Sequence, residues 1–326
     1  MTHPFLTGAR AGVLAIAAGL AFQLSAMAAE TPAPKAFELP LTAATPEAPG
    51  PEPDLAYGAY QRGFYLTAFH YATQSAAAGN AASQTLLGLI YEQGYGIARD
   101  FKKAAEWYEI AATSGDREAQ LLLGLMHLDG RGAEKDIGKA ATLFEKAAAQ
   151  GQTAAIYNLG LIYLNGTARP RDPARAAELF EKAAEANNTD ARYALAVMLS
   201  EGTGIKRDDV RASDLFAIAA QAGHMDAQVE YAIRLANGKG TAQNDKAAVA
   251  WFRRAAGSGS PIARNRLARM LATGRGADID PITASAWHLL ARATGLSDLW
   301  LDGIYESLSA DDQKKAREKA VELGRH

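Results

Sequence analysis

One period governs most of this sequence, because a glycine recurs every 36 residues without a single insertion or deletion. The six glycines of this register are Gly94, Gly130, Gly166, Gly202, Gly238 and Gly274. An insertion between helices costs little, so a register kept this strictly indicates repeating units that stack through equivalent surfaces. The stretch from about Tyr57 to Gly295 follows this period.

Residues 119–154 illustrate one unit. Apolar residues recur at helical spacing from Ala119 to Asp129, and Gly130-Arg131-Gly132 then ends the pattern. Asp136 precedes a second helical run, which ends at Gly151. Each unit is therefore predicted to be a helix–turn–helix hairpin, whose members are called helix A and helix B.

The residue before helix B is acidic or an asparagine in all six units. Its side chain can accept hydrogen bonds from the free N–H groups of the first helical turn, which is worth about 1 kcal/mol per helix. A metal or substrate role is the alternative for these side chains, but capping accounts for all six members of the series. The series is Asp100, Asp136, Asp172, Asp208, Asn244 and Asp280.

Three further series predict how the helices end and pack. Helix B ends on a residue suited to a left-handed conformation: Gly115, Gly151, Asn187, Gly223, Gly259, Gly295. Helix A carries a small residue that lets a neighbouring helix approach closely: Gly88, Gly124, Gly160, Ala196, Ala232, Ala268. Helix B carries a large ring that we expect in the core: Tyr108, Phe144, Phe180, Phe216, Phe252, His288.

The amino-terminal region has a different composition from the repeats. Residues 1–28 are typical of a secretory signal, with Arg10 before a short apolar run and Ala26-Met27-Ala28 as a cleavage site after Ala28. A retained membrane anchor is the alternative. Seven of the twelve prolines lie within residues 30–53, so residues 29–55 are predicted to be an extended, flexible tether.

The predicted organisation places a repeat domain between this tether and a helical cap. Tyr57 to Ala78 is predicted to be the second helix of a partial unit, because Gly58, Ala68 and Gly79 keep the register. Ser309 is predicted to cap a charged terminal helix. The predicted boundaries are 56–295 for the repeat domain, with a partial unit 56–82 and repeats 83–118, 119–154, 155–190, 191–226, 227–262 and 263–295, and 296–326 for capping helices.

The repeat unit resembles Sel1-like repeats, which are relatives of the tetratricopeptide repeats. The residues that carry the resemblance are Leu87-Gly88, Tyr91, Gly94, Gly96, Asp100, Ala104, Trp107-Tyr108, Ala111-Ala112 and Gly115. The resemblance implies an all-α fold, a right-handed α-solenoid, that acts as a protein-interaction scaffold. Exported bacterial members of this family look like regulators of the cell envelope, and some of them bind the sensor domain of a membrane histidine kinase. The resemblance therefore implies a similar partner for this chain.

The predicted partner site is the face of helix A opposite its packed residues, which would line a concave groove for a peptide or an amphipathic helix. The alternative is that superhelical curvature buries these residues inside the solenoid. The groove residues are Leu121, Leu125, Leu128, Asp129, Tyr157, Leu161, Leu164, Asn165, Tyr193, Val197 and Glu201. The same face also includes Ser200, beside Tyr193, Val197 and Glu201, and equivalent positions in the other repeats include Thr85, Val229, Asn265 and Arg269.

No catalytic, cofactor-binding or metal-binding residues are predicted. The chain has no cysteine, and a net charge of −2 gives no reason to expect nucleic acid as a ligand. His127 and His288 replace packing residues of the repeat, and His224 falls at a loop position that we expect to be solvated. Two classes of function remain: a periplasmic scaffold or regulator that binds a protein or peptide partner, and an envelope enzyme or glycan-binding protein related to β-lactams or peptidoglycan.

Overall fold

The computed structural model describes residues 55–325, so the predicted signal peptide and nearly all of the predicted tether lie outside the described residues. Within this range the chain forms sixteen α-helices and no strand. It divides into two compact units between Arg171 and Asp172.

The first unit contains seven helices, which pack as consecutive antiparallel neighbours. Two leucines and an isoleucine of α3 (Leu86, Leu87, Ile90) are buried with small residues of α1 and α2, and Tyr108 of α4 is buried with Met126 of α5. The helices are α1 Leu55–Gln61, α2 Tyr65–Ala77, α3 Ala81–Gln93, α4 Phe101–Thr113, α5 Arg117–Asp129, α6 Ile137–Ala149 and α7 Thr153–Asn165.

The second unit continues the same pattern and ends in two helices without the repeat signature. The last helix contacts α14, and Ala316 and Ala320 on its inner face are buried. The helices are α8 Pro173–Glu185, α9 Thr189–Glu201, α10 Asp209–Gln221, α11 Met225–Asn237, α12 Asp245–Gly257, α13 Pro261–Thr273, α14 Pro281–Ala293, α15 Leu299–Glu306 and α16 Ala310–Leu323.

The predicted capping is confirmed at both ends of helix B. All six predicted N-cap side chains accept a hydrogen bond from the backbone N–H three residues on, as Asp100 does from Lys103 at 3.0 Å. Asn187, the single non-glycine in the C-terminal series, has φ 65° and so adopts the left-handed conformation expected of it. The Ser309 cap is confirmed too, since its hydroxyl accepts the N–H of Asp312.

The small residues of helix A allow close packing within a hairpin, as predicted. A Cβ atom on Gly88 would lie 2.4 Å from the Tyr108 ring, and one on Gly124 would lie 2.6 Å from the Phe144 ring. Both rings are fully buried. The glycine and the ring therefore form one interlocking pair in each of these two hairpins.

The prediction of one helix from Tyr57 to Ala78 is wrong. Gly63 adopts a left-handed conformation with φ 79°, and this turn separates α1 from α2. Gly58 keeps the 36-residue register but lies inside α1 rather than in a turn. The partial unit is thus a complete hairpin with a short first helix.

Candidate functional site

The first unit holds eight of the predicted groove residues, and they differ in exposure. On α5, Leu121 is buried, Leu125 and Leu128 are half-buried, and Asp129 is exposed. The open part of this face therefore lies in the C-terminal half of α5. Leu121 contributes to the interior instead of the surface.

Helix α7 shows the same gradient more strongly. Tyr157 is 3% exposed and Leu161 is also buried, whereas Leu164 is half-buried and Asn165 is exposed. The prediction of an open apolar surface at Leu121, Tyr157 and Leu161 is therefore wrong, and the burial alternative holds at these three positions. The more polar ends of α5 and α7 remain accessible.

The other three predicted groove residues lie on α9 in the second unit. Val197 is half-buried and Glu201 is exposed. The half-buried Tyr193 ring stacks on the His224 ring, with 4.4 Å between their centroids, and meets the Phe216 ring edge-on at 5.7 Å. Tyr193 thus packs between helices rather than standing free.

The prediction of a solvated loop position for His224 is also wrong. Its side chain is 10% exposed, and its Nδ1 accepts the N–H of Ala227 at 3.2 Å as the N-cap of α11. Burial lowers the pKa of His224, although Asp190 at 3.6 Å opposes this shift. A neutral imidazole is what this cap needs, because Nδ1 must keep its lone pair.

The helix A position that Tyr193 occupies also lies next to an N-cap residue about 31 to 33 residues further on in two other repeats. Thr85 donates a hydrogen bond to the Asp116 carboxylate at 3.0 Å, and Asn265 donates one to Asp298 at 2.8 Å. Asp298 also forms a two-point ion pair with Arg269 and caps α15. This slot of helix A therefore links successive hairpins.

A buried arginine in the second unit is a feature that the sequence analysis missed. Arg234 on α11 is 2% exposed. Its guanidinium lies 4.9 Å from the Phe216 ring centroid and donates to the hydroxyls of Ser200 and Ser213. The sequence does contain a sign of it, because the equivalent position in the other helices A is apolar: Ile90, Met126, Ile162, Met198 and Met270.

Opposite charges surround this arginine. Asp209 lies 3.6 Å from the guanidinium and 3.4 Å from the Lys239 ammonium. Burial raises the pKa of Asp209, but Arg207 and Lys239 outweigh this effect and hold the pKa below its usual range. Burial likewise raises the pKa of Glu230, where the charge of Arg234 only partly opposes the rise.

The Ser200 hydroxyl is the part of this network best placed for a ligand. Its oxygen accepts hydrogen bonds from Arg234 and from Lys239, the latter at 3.3 Å. Its own proton is then left to donate. A half-buried hydroxyl between two cations favours an acceptor with negative charge, above all a carboxylate.

A separate cleft of about 470 Å³ lies in the first unit. Its lining residues come from α4, α5 and α6, together with Asp136, the N-cap of α6. His127 lines it, and its Nδ1 donates to the Glu134 carbonyl at 2.8 Å. The two threonine hydroxyls of the lining, Thr113 and Thr142, each donate to a helix carbonyl. Neither hydroxyl is thus held by a base that would activate it as a nucleophile.

Residues 55–325 are the part of the chain in which metal-binding and membrane-spanning features can be described. They contain no cluster of three or more His, Asp or Glu side chains arranged to hold a metal ion. Over the same range, every helix is too short or too polar to cross a membrane. The expectation that the chain has no catalytic, cofactor or metal site stays a prediction.

Comparison with known families gives a direct match. The Sel1 repeat model matches six consecutive stretches, which together span most of the repeat region: residues 81–116, 117–152, 153–188, 189–224, 226–260 and 261–295. Each stretch begins at or within two residues of the start of a helix A. No curated protein sequence matches the chain.

Solved structures agree with this match. A Sel1 repeat protein from Oxalobacter formigenes is 32% identical with a TM-score of 0.66, covering 73% of this chain and 98% of that one. The protective antigen c5321 of uropathogenic Escherichia coli, which has an SLR fold, is 26% identical with a TM-score of 0.56. That match covers 79% of this chain and 64% of the antigen.

These matches confirm the predicted α-solenoid of helical hairpins. Sel1-repeat proteins generally mediate protein–protein interactions and are typically non-catalytic. With six matched repeats and a solved relative at 32% identity, the chain belongs to the Sel1 repeat family.

Proposed function

We propose that the chain is a non-enzymatic scaffold or regulator that binds a protein or peptide partner through the accessible face of its helices A. The observation that carries the proposal is the gradient along these helices. Leu125, Leu128 and Leu164 are half-buried, and each helix ends on an exposed polar residue, Asp129 or Asn165. Apolar side chains beside polar ones suit an amphipathic helix or an extended peptide.

The second unit, taken by itself, has a polar anchor on its own helix A, α9. Val197 and Glu201 lie on α9 together with Ser200. The Ser200 hydroxyl oxygen accepts hydrogen bonds from Arg234 and Lys239, so its proton is left to donate to a ligand. We expect a partner segment that presents a carboxylate to be favoured there. Such a contact would be charge-assisted and therefore stronger than one between neutral groups.

The proposed location is the periplasm, with export directed by residues 1–28. Support comes from the sequence, in the short apolar run and the Ala26-Met27-Ala28 cleavage site. A periplasmic sensor domain is the proposed kind of partner. Alkaline phosphatase fused after the last residue should be active in cells, and deleting residues 1–28 should abolish that activity. Equal activity without residues 1–28 would contradict export.

Photo-crosslinking tests the binding face itself. Benzoylphenylalanine at Leu128, Leu164 or Val197 should give one discrete crosslinked product in cells that make the protein. The same group at Glu106 or Lys182, which are exposed on helices B, serves as the matched control and should give none. Equal yields from both faces would contradict the proposal.

Substitution of the half-buried leucines provides a second arm. Leu125→Ser with Leu128→Ser should abolish the crosslinked product while the helical circular dichroism is retained. The pair Tyr157→Ala and Tyr193→Ala is a poorer choice, because Tyr157 is buried and its loss would disturb packing. An undiminished product in the folded leucine variant would show that this face does not bind.

A further inference from the structure

A cluster of rings surrounds the first Gly-x-Gly turn of the chain. The Tyr65 and Tyr95 rings stack with 4.6 Å between their centroids, and Tyr60 lies 5.6 Å from Tyr65 and 6.3 Å from Tyr95. Phe64 and Leu66 flank Tyr65 in sequence and are 58% and 63% exposed. These five residues are called the first-turn patch.

Two members of the patch replace residues that the repeat uses for stability or solubility. Phe64 occupies the position that is Asp or Asn before every other helix B, and α2 consequently has no side-chain cap. Tyr95 is the middle residue of its turn, which is polar in the other five turns: Arg131, Thr167, Thr203, Lys239 and Arg275. Local rules broken in favour of an exposed ring at Phe64 and a half-buried ring at Tyr95 point to a binding role.

Positive charge borders the patch. The Arg62 guanidinium lies 5.8 Å from the Phe64 ring centroid. Arg99 lies in the same turn, since a Cβ atom on Gly94 would be 3.0 Å from the Arg99 Cβ. Both arginines are exposed. The surface therefore combines aromatic rings with two available cations.

The segment joined directly to this hairpin has complementary chemistry. Residues 30–53 contain seven prolines, four glutamates and one lysine, and they end two residues before α1 begins at Leu55. Proline has no N–H, and an extended proline-rich chain leaves its carbonyl groups without internal partners. Aromatic grooves with hydroxyl donors recognise such chains.

The Tyr60 hydroxyl can supply such a donor at neutral pH. Burial and the neighbouring Tyr95 and Tyr65 raise the pKa of Tyr60 to about 12, so that its hydroxyl keeps its proton. Length is no obstacle either. An extended stretch such as Pro40 to Pro53 reaches roughly 40 Å at about 3.1 Å per residue, far more than the spacing of the rings.

We propose that the first-turn patch binds the chain's own proline-rich segment, residues 30–53. The prolines lie against the rings of Tyr60, Tyr65 and Tyr95, and the glutamates of the segment lie near Arg62 and Arg99. The segment then covers an apolar surface that the repeat itself leaves open. This inference does not depend on the partner proposed for the helices A.

Paramagnetic relaxation in the full chain tests the contact. The chain has no cysteine, so Thr45→Cys provides a single site for a nitroxide label. We expect the label to cause a loss of amide peak intensity at Tyr95, Gly96 and Leu66, relative to the same sample with the nitroxide reduced. Phe64→Asp combined with Tyr95→Thr, the residue types of the other repeats, should restore the intensity.

Controls separate this contact from other causes. Ile110→Thr removes an exposed apolar side chain outside the patch and should leave the intensity loss unchanged. Labelled chains mixed with isotope-labelled chains lacking the nitroxide report on contacts between molecules. Intensity loss in that mixture would assign the patch to a second copy and overturn the proposal. So would full intensity in the original sample, or a loss that persists in the double variant.

Discussion

The first turn and four of the five later turns are built from the same Gly-x-Gly sequence, yet their second glycines meet different surroundings. The remaining turn has Ala168 at that position. A Cβ atom on Gly132 would lie 2.0 Å from the backbone oxygen of Phe101, and Gly204, Gly240 and Gly276 face backbone atoms equally closely. The atoms nearest to a Cβ atom on Gly96 would be side-chain atoms of Tyr65 and Leu66, at 3.2 and 3.4 Å.

This difference separates structure from recognition. In each of these four later turns the second glycine lies against the backbone at the start of an earlier helix B, so packing requires the glycine there. The first turn follows the first described hairpin, where that place is taken by the side chains of the half-buried Tyr65 and the exposed Leu66. Recognition residues can accumulate there because little packing depends on them.

The largest predicted effect comes from methyl groups added to these glycines. Gly132→Ala should destabilise the fold by about 3 kcal/mol, because it combines a left-handed φ of 71° with a clash against backbone. Gly96→Ala should cost about 1 kcal/mol, from the left-handed conformation alone. Urea denaturation followed by circular dichroism measures both.

Gly151→Ala is the matched control for that pair. Gly151 has φ 77° and no atom within 4 Å of its Cβ position, so its substitution isolates the conformational cost. The variant should resemble Gly96→Ala. Equal destabilisation by Gly132→Ala and Gly151→Ala would show that the backbone contact of Gly132 is unimportant.

The next effect concerns the buried slot of helix A. Arg234→Ala should destabilise the fold by about 3 kcal/mol, because it leaves a cavity in place of a buried side chain and removes the donor to the buried Ser213 hydroxyl. Arg234→Met restores the residue found at Met126 and should change stability by no more than about 1 kcal/mol. A large loss in the Met variant would contradict this account, in which the arginine serves recognition more than folding.

The N-caps provide a smaller pair of effects with opposite signs. Phe64→Asp should stabilise the chain by about 1 kcal/mol, because it gives α2 the cap that the other helices B have. Asp100→Ala should destabilise it by a similar amount, because it removes the bond to the Lys103 N–H. The unfolding temperatures of both variants, compared with that of the wild type, measure these two effects. Destabilisation by Phe64→Asp would mean that the ring is needed for packing.

The caps also predict a pH dependence. Burial alone would raise the pKa of Asp280, but hydrogen bonds from Thr283 outweigh it and hold the pKa below its usual range. A carboxyl with a lowered folded pKa stabilises the fold above its unfolded value, about 3.9, and this contribution is lost as the pH falls through the folded value. The advantage of the wild type over Asp280→Asn should therefore shrink between pH 5 and pH 2, as followed by urea denaturation. A constant difference would contradict it.

The smallest effect is expected at Tyr95. Tyr95→Thr changes a half-buried turn residue to one that the repeat already uses at Thr167 and Thr203, so stability should change by less than about 0.5 kcal/mol. Its effect on the paramagnetic contact should be large. A Tyr95→Thr protein that loses stability but keeps the contact with residues 30–53 would contradict the account, because Tyr95 would then serve folding and not recognition.

The sequence predicted those features that recur. The caps at Asp100 and Asp280, the left-handed Asn187 and the pairing of Gly88 with Tyr108 all follow from local rules applied at a fixed period. The departures were harder to interpret. His224 as a cap, the burial of Tyr157 and the Arg234 network depend on contacts between successive helices, which periodicity alone does not specify.

The most direct test of the claim that the first turn serves recognition and not stability is to measure two properties of Phe64→Asp, its thermal stability and its paramagnetic contact. The account predicts a higher unfolding temperature, because the cap is restored, together with recovery of the amide intensities of Gly96 and Leu66 in the labelled chain. A variant that is less stable, or one that is more stable yet keeps the intensity loss, would contradict it.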